Sequence, residues 1–443
     1  MRPALPLVFA LCSISLLGCP EKEKPAVKPH EINLWHTFNP EETATLNRIL
    51  AQIRIQHPEW RVHPTVIPFA RAQNKFRQGA QSCETGAPHV FRAELPWLAE
   101  FVSKGLIRPV PDGVSRDLAY LPQAEAAARY KGRRWVLTSS LDCLALLYNR
   151  ELVKTPPANL GQLVATARRL TVDDKGRTAE SAAFDPTRTV RWGFYIRAEA
   201  YWFLPFLWAH DGRLLTLDPP KVHIDEPEAV AALAFYRDLI HRHHVAPPRP
   251  SPSNDYEDQM QRFGVGKLAM MINGPWAMSS LLSRPVFRGH PERLGVAPFP
   301  SGPSRKPAAP LSGHGWVISR CAPDPKAAWA LAARLSDVSA QATFARRNSL
   351  LPAVEAAYAD ARVRHNRFVA GFRAALARAR PRPQHPAIAR IFDDFNPAVQ
   401  AVILGDADPG LALAGVARAW RRLLGLKRPE EELKKPAEPE KRR

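Results

Sequence analysis

Residues 266–278, GKLAMMINGPWAM, limit the fold more than any other stretch of this chain. The apolar run 268–272 has the length of a buried strand and is too short for a helix. Asn273-Gly274 ends it with a turn signal. Pro275 suits the first turn of a helix, where its missing N–H is not needed. Strand, turn and helix in that order belong to an α/β sheet. Trp276 then stands where a strand end meets a helix N-terminus, the usual place for ligands in such sheets. On this stretch alone a core position suits Trp276 equally well.

A chain of 443 residues can bury a large core and form two domains. Its 45% hydrophobic and 23% charged residues are globular composition, and 44 prolines exclude a coiled coil. The formal net charge of +20 would suit a nucleic acid, an acidic surface or an anionic ligand. The arginines are scattered over polar helix faces, with no long basic run and no nucleic-acid motif. We therefore expect a solvated basic surface and no nucleic-acid partner. Attraction to an anionic envelope surface stays open.

The N-terminus has the layout of an export signal. Met1-Arg2 is basic, 5–17 is apolar, and Leu16-Leu17-Gly18-Cys19 resembles a bacterial lipobox. That resemblance implies a signal peptide at 1–18, cleavage before Cys19 and lipidation of its thiol. Residues 19–30 follow as a Lys/Glu/Pro-rich tether. No other stretch reaches transmembrane length. The expectation is an exported lipoprotein of the bacterial envelope, in the periplasm or on the outer face of the membrane. Cys83, Cys143 and Cys321 remain, so at most one internal disulfide can form, and the sequence does not choose the pair. No Cys/His spacing suits zinc, and His241, His243 and His244 read as a helix end. No metal or cofactor is expected.

Along the chain, 31–35 reads as the first strand, followed by the loop His36-Thr37-Phe38. Asn39-Pro40-Glu41-Glu42 then marks a helix start. Strands are expected at 62–68, 86–91, 190–196 and 294–299, with a hairpin at 131–137. Arg92, Glu94 and Trp97 are placed past the third strand. Helices are expected after Asn159, from Asp225, and at 254–263, 325–338, 340–347, 352–358, 367–379, 388–404 and 409–424. Residues 426–443 form a charged tail, expected to be disordered.

Several segments carry a family resemblance, in order. Gly266 to Trp276 fits "G-x-x-A-M-x-x-N-G-P-W", which resembles the signature of maltose-binding-type extracellular solute-binding proteins of ABC importers (family 1). Ile32 to Phe38 resembles the family's opening strand and first ligand loop. Leu146 to Leu152 resembles "L-x-Y-N-K-D-L", where the chain first crosses between lobes. Glu199 to Gly212 resembles "E-P-Y-x-x-W-P-x-x-x-A-x-G-G", with Leu204 where that pattern has an aromatic. His89 stands where the family has Asp.

The resemblance implies an α/β, two-lobed periplasmic-binding-protein-like fold of type II. Lobe one would hold 31–141 and about 311–348, and lobe two 142–310 and about 349–425. Thr37, Phe38, Glu94 and Asp142 would face the cleft from lobe one. Glu199, Tyr201 and Trp276 would face it from lobe two, and His314 and Trp316 are further candidates. Glu94 could equally be a first-turn helix acid, and Asp142 could pin the hinge. The implied function is a monomeric, lipid-anchored binding subunit that closes on a maltose- or oligosaccharide-like sugar and presents it to an ABC permease. It is not an enzyme. The alternatives are a binder of polyamine, metal, anionic or phosphorylated solutes, and a glycoside hydrolase using Asp142 and Glu199.

Overall fold

The computed structural model describes residues 29–114, 118–248, 254–304, 309–387 and 390–426. The expected signal at 1–18, Cys19, the tether up to residue 28 and the tail from 427 lie outside these residues.

Two sheets organise the chain. The larger has seven strands. His30–His36 pairs in parallel with Trp60–Val66 and Val90–Glu94. The long strand Ala309–Ser319 runs antiparallel to Val90–Glu94 and to Leu137–Cys143. The short strands Ile107–Arg108 and Ala379–Pro381 also pair with Ala309–Ser319. In the smaller sheet, Ala145–Asn149 lies between Met270–Asn273 and Leu294–Ala297, antiparallel to both. The chain changes sheet at the buried Leu144, between strands ending at Cys143 and beginning at Ala145.

Local chemistry explains most boundaries. Asn39 caps helix Pro40–Gln56 in a reciprocal box. Its Oδ1 accepts from Glu42 N–H at 2.8 Å, and Glu42 Oε2 accepts from Asn39 N–H at 3.1 Å. Met270–Asn273 passes into a short 3-10 helix, Pro275–Ala277, and then into helix Met278–Leu282. Helix Ala200–Ala209 is apolar on nearly every side because all of its residues but Tyr201 are buried. Phe203 meets Phe395 edge to face at 5.9 Å, and Phe395 meets Trp420 at 5.6 Å, so helices Ile391–Leu404 and Pro409–Leu423 close that core.

Three expectations change. The strand at 190–196 is only Thr189–Arg191. Gly193 lies so close to helix Leu160–Leu170 that a Cβ would stand 2.0 Å from Ala167 O, and its N–H donates to Thr171 Oγ1 at 2.9 Å. Beyond Arg191 the pairing is reduced to a single parallel bridge between Trp192 and Leu268. Residues 352–358 give the 3-10 helix Glu355–Ala359 and no α-helix. Arg92 and Glu94 lie within strand Val90–Glu94, not beyond it. The disulfide joins Cys83 to Cys321, and Cys143 is a buried thiol. His89, in place of an acid, accepts from Asn33 N–H through Nδ1 at 3.2 Å.

Candidate functional site

The end of the large sheet from which the chain passes into the small sheet is charged and buried. Arg92, Glu94, Asp142 and Ser312 are each under 9% exposed. Sequence partners in the sheet bring them together: His314 lies opposite Glu94, and Ser312 opposite Asp142. Glu94 accepts from Ser312 Oγ at 2.7 Å and from the Arg382 guanidinium. Arg382 also donates to Ser312 Oγ at 3.1 Å. His314 Nδ1 lies 3.2 Å from Asp142 Oδ2. Arg92 donates to Thr37 Oγ1 at 2.9 Å and stacks over Phe38, 4.0 Å from its centroid.

Burial and pairing set the charge states. Burial lifts Glu42 to about 7, against the pull of Arg92. Burial lowers Arg92 to about 10, although Glu42, Asp142 and Glu94 oppose it. Burial raises Glu94, but Arg382, His314 and Ser312 outweigh it and hold the carboxyl below its usual range. Burial, then Arg92, lowers His314, with Asp142 opposing.

The facing wall comes from the small-sheet side. Glu199 begins helix Ala200–Ala209, and its carboxylate accepts from Arg197 and from Trp202 Nε1, both at 3.0 Å. Arg197 is buried, pairs with Asp255 at 2.7 Å and lies 4.5 Å from the Trp202 ring centroid. The Trp276 ring folds back over Gly274, where a Cβ would stand 2.0 Å from Cζ3. Trp202 meets Trp276 edge to face at 6.4 Å and Tyr201 at 6.0 Å. The two walls touch. Arg382 lies 5.3 Å from the Tyr201 ring centroid, and Asn39 Nδ2 donates to Trp276 O at 3.1 Å.

The structure thus gathers Glu94, Asp142 and His314 on one wall, and Glu199, Tyr201 and Trp276 on the other. Thr37 is half-buried and orients Arg92. Phe38 is buried, stacked on Phe344 at 4.8 Å. Trp316 is fully buried in the core and donates to Leu335 O at 3.3 Å. It shares a strand face with His314 but lies deeper along the strand, against the Phe38 edge. Its expected place at the cleft surface is therefore corrected to the layer beneath. Sequence reasoning missed Arg382, Arg197, Asp255, Asn39 and Glu42 as parts of this site. It saw Arg92 without its role, although a charge inside the apolar start of Val90–Glu94 was a signal. Among the described residues no group of three His, Cys, Asp or Glu could hold a metal ion.

Two lobes with a charged, aromatic cleft between them define a binding protein of the maltose-binding-protein-like class. The chain matches the family of bacterial extracellular solute-binding proteins over residues 50–367 and belongs to it. That family consists of binding proteins, not enzymes. The chain is 22% identical over 273 residues to the maltotriose-binding protein of Pyrococcus abyssi, covering 61% of this chain and only 53% of that protein. A binding protein of Brucella abortus is 26% identical over 331 residues, covering 72% of this chain and 76% of that one. Among solved structures, the GacH receptor of Streptomyces glaucescens, determined unliganded and with acarbose, superposes with a TM-score of 0.81 at 29% identity, covering 90% of this chain and 100% of that one. Maltose-bound MalE3 of T. maritima gives 0.78 at 25%, covering 89% and 99%.

Proposed function

We propose that the protein is the lipid-anchored binding subunit of an ABC importer and that its ligand is a neutral, maltose-type oligosaccharide. The observation that carries this reading is the pairing of charge in the cleft. Arg382 is answered by Glu94, and Arg197 by Asp255 and Glu199. Arg92 lies within the field of Glu42, Asp142 and Glu94. Each guanidinium is thus answered by carboxylates, so no unmatched cation awaits an anion, and such paired groups bond hydroxyls strongly. The rings of Tyr201 and Trp276, both partly exposed, supply flat faces for the C–H surface of a sugar. The maltose bound to one structural neighbour and the acarbose bound to another support the sugar class.

In this reading Glu94, Asp142 and His314 bond the ligand from one lobe, and Glu199, Tyr201 and Trp276 from the other. Thr37 and Phe38 hold Arg92 in place behind them. The lobes pivot at the change of sheet near Leu144 and close over the sugar. A permease in the membrane reads the closed form, and lipid on Cys19 keeps the protein beside it in the envelope.

A thermal-shift panel tests the ligand class. A binder stabilises the folded chain by mass action, by about 2.7 kcal/mol at a hundredfold excess over its dissociation constant, and so raises the melting temperature. Maltotriose is expected to stabilise the chain, and spermidine and glucose 1-phosphate to leave it unchanged. Stabilisation by either charged solute and not by the sugar overturns the reading.

A further inference from the structure

Among the described residues, the buried polar atoms without a hydrogen-bond partner include three grouped around Glu94 and Asp142: Nε of Arg92, Nε of Arg382 and Nε2 of His314. Buried polar groups are rarely left unpaired, so each of these atoms has a bond still to make. The three differ in sense. A guanidinium Nε carries a hydrogen and only donates. The sense of His314 is set by its other nitrogen. Nδ1 lies 3.2 Å from Asp142 Oδ2, and a carboxylate only accepts. Nδ1 therefore carries the hydrogen, and in the neutral ring Nε2 keeps a free lone pair.

The surroundings keep the ring neutral. Asp142 faces it from Leu137–Cys143, Arg92 and Glu94 from Val90–Glu94, and the Phe69 ring lies edge-on at 6.0 Å. Burial and the Arg92 cation outweigh the two acids and hold His314 below the usual imidazole range. Ser139 Oγ donates to the His314 carbonyl at 3.1 Å and steadies its backbone.

We infer that His314 is the specificity-determining acceptor of the cleft, its Nε2 receiving a hydrogen bond from a ligand hydroxyl while Arg92 and Arg382 Nε–H groups donate to ligand oxygens. The inference rests on the sugar-binding reading and deepens it. A sugar hydroxyl both donates and accepts, so a polyol satisfies all three atoms. A carboxylate or a fully ionised phosphate ester group only accepts and sets its lone pairs against that of Nε2. Protonation of His314 in acid turns the acceptor into a donor and removes this discrimination.

The test measures binding of maltotriose and its deoxyfluoro analogues, one hydroxyl replaced at a time, since fluorine cannot donate. Several analogues are expected to bind the native chain more weakly, by about ten- to hundredfold for the hydroxyl that donates to His314. In His314→Phe the penalty of one analogue, and only that one, should vanish. In His314→Gln, whose side-chain oxygen accepts, part of it should return. Affinity of the native chain should fall in acid, and that limb should be flat in His314→Phe. A long-range 15N spectrum of the unliganded native chain should show the His314 ring with hydrogen on Nδ1 alone at pH 7. Hydrogen on Nε2, or an unchanged analogue profile in His314→Phe, overturns this inference while sugar binding stands. Failure of the native chain to bind maltotriose overturns the sugar-binding reading itself, and the inference with it.

Discussion

The side-chain amide of Asn39 donates to the main-chain carbonyl of Trp276 at 3.1 Å, joining residues 237 positions apart across the cleft. The same side chain caps helix Pro40–Gln56 through its other atom, Oδ1. One residue therefore serves a helix terminus and a contact between the lobes.

Substitution separates the two roles. Asn39→Asp keeps the cap but sets an oxygen against the Trp276 carbonyl. Its unfolding free energy should stay near that of the native chain, while ligand-driven compaction in small-angle scattering becomes harder to saturate. Asn39→Ala loses the cap as well and should unfold about 1 kcal/mol sooner. Equal stability losses in the two variants would refute this division.

Glu94 and Arg382 form a buried pair at the meeting of strands Val90–Glu94 and Ala309–Ser319. Removing one partner strands the other charge in a dry site. Arg382→Met should cost about 3–5 kcal/mol in urea unfolding, and adding Glu94→Gln should recover most of it. Losses that simply add would show that the two side chains act independently.

Glu42 sets a pH dependence. It is 4% exposed, and burial lifts its carboxyl from 4.5 to about 7. The folded chain therefore keeps a proton that the unfolded chain releases. That contribution is complete below about pH 4.5 and is lost as the pH rises through 7, with a size of about 3 kcal/mol. His36, held down to about 4 by burial and Arg92, works in the opposite direction between about 4 and 6.5. Glu42→Gln removes only the first effect. Its stability relative to the native chain should climb between pH 4.5 and 7 and then level off. A difference that is flat across this range would contradict the shift.

The Cys83–Cys321 disulfide closes a loop of 238 residues' separation within the large-sheet lobe. The double variant Cys83→Ser/Cys321→Ser should lose about 2–4 kcal/mol. Burial raises the Cys143 thiol well above its ordinary pKa, so the native chain from Pro20 onward should react with no thiol reagent until it unfolds. Rapid labelling of Cys143 in the folded protein would contradict its burial.

Local signals carried much of this architecture into the sequence. The run before Asn273-Gly274, the cap at Asn39 and the hairpin around Gly132 each depend on neighbours a few positions away. Glu199 and Tyr201 were legible only through the spacing of a family pattern, whereas Trp276 was also marked by the strand, turn and helix start around it. Arg382 was not legible at all, because its partner Glu94 lies 288 positions earlier and its own surroundings, PRPQHP, have no periodicity. The choice of Cys83 and Cys321 likewise depends on the packing of helix Phe69–Ser82 beside the end of Ala309–Ser319. Trp316 shows where a family pattern falls short. Strand alternation puts it on the same face as His314, but depth along the strand decides which of the two a ligand can reach.

The most direct test is calorimetric titration of the chain from Pro20 onward with maltotriose, alongside Trp276→Ala. The native chain should bind saturably, with a loss of affinity of about tenfold or more when the indole is removed from the cleft wall. Saturable binding that Trp276→Ala leaves unchanged, or no maltotriose binding beside clear binding of phosphate or a polyamine, would contradict this expectation.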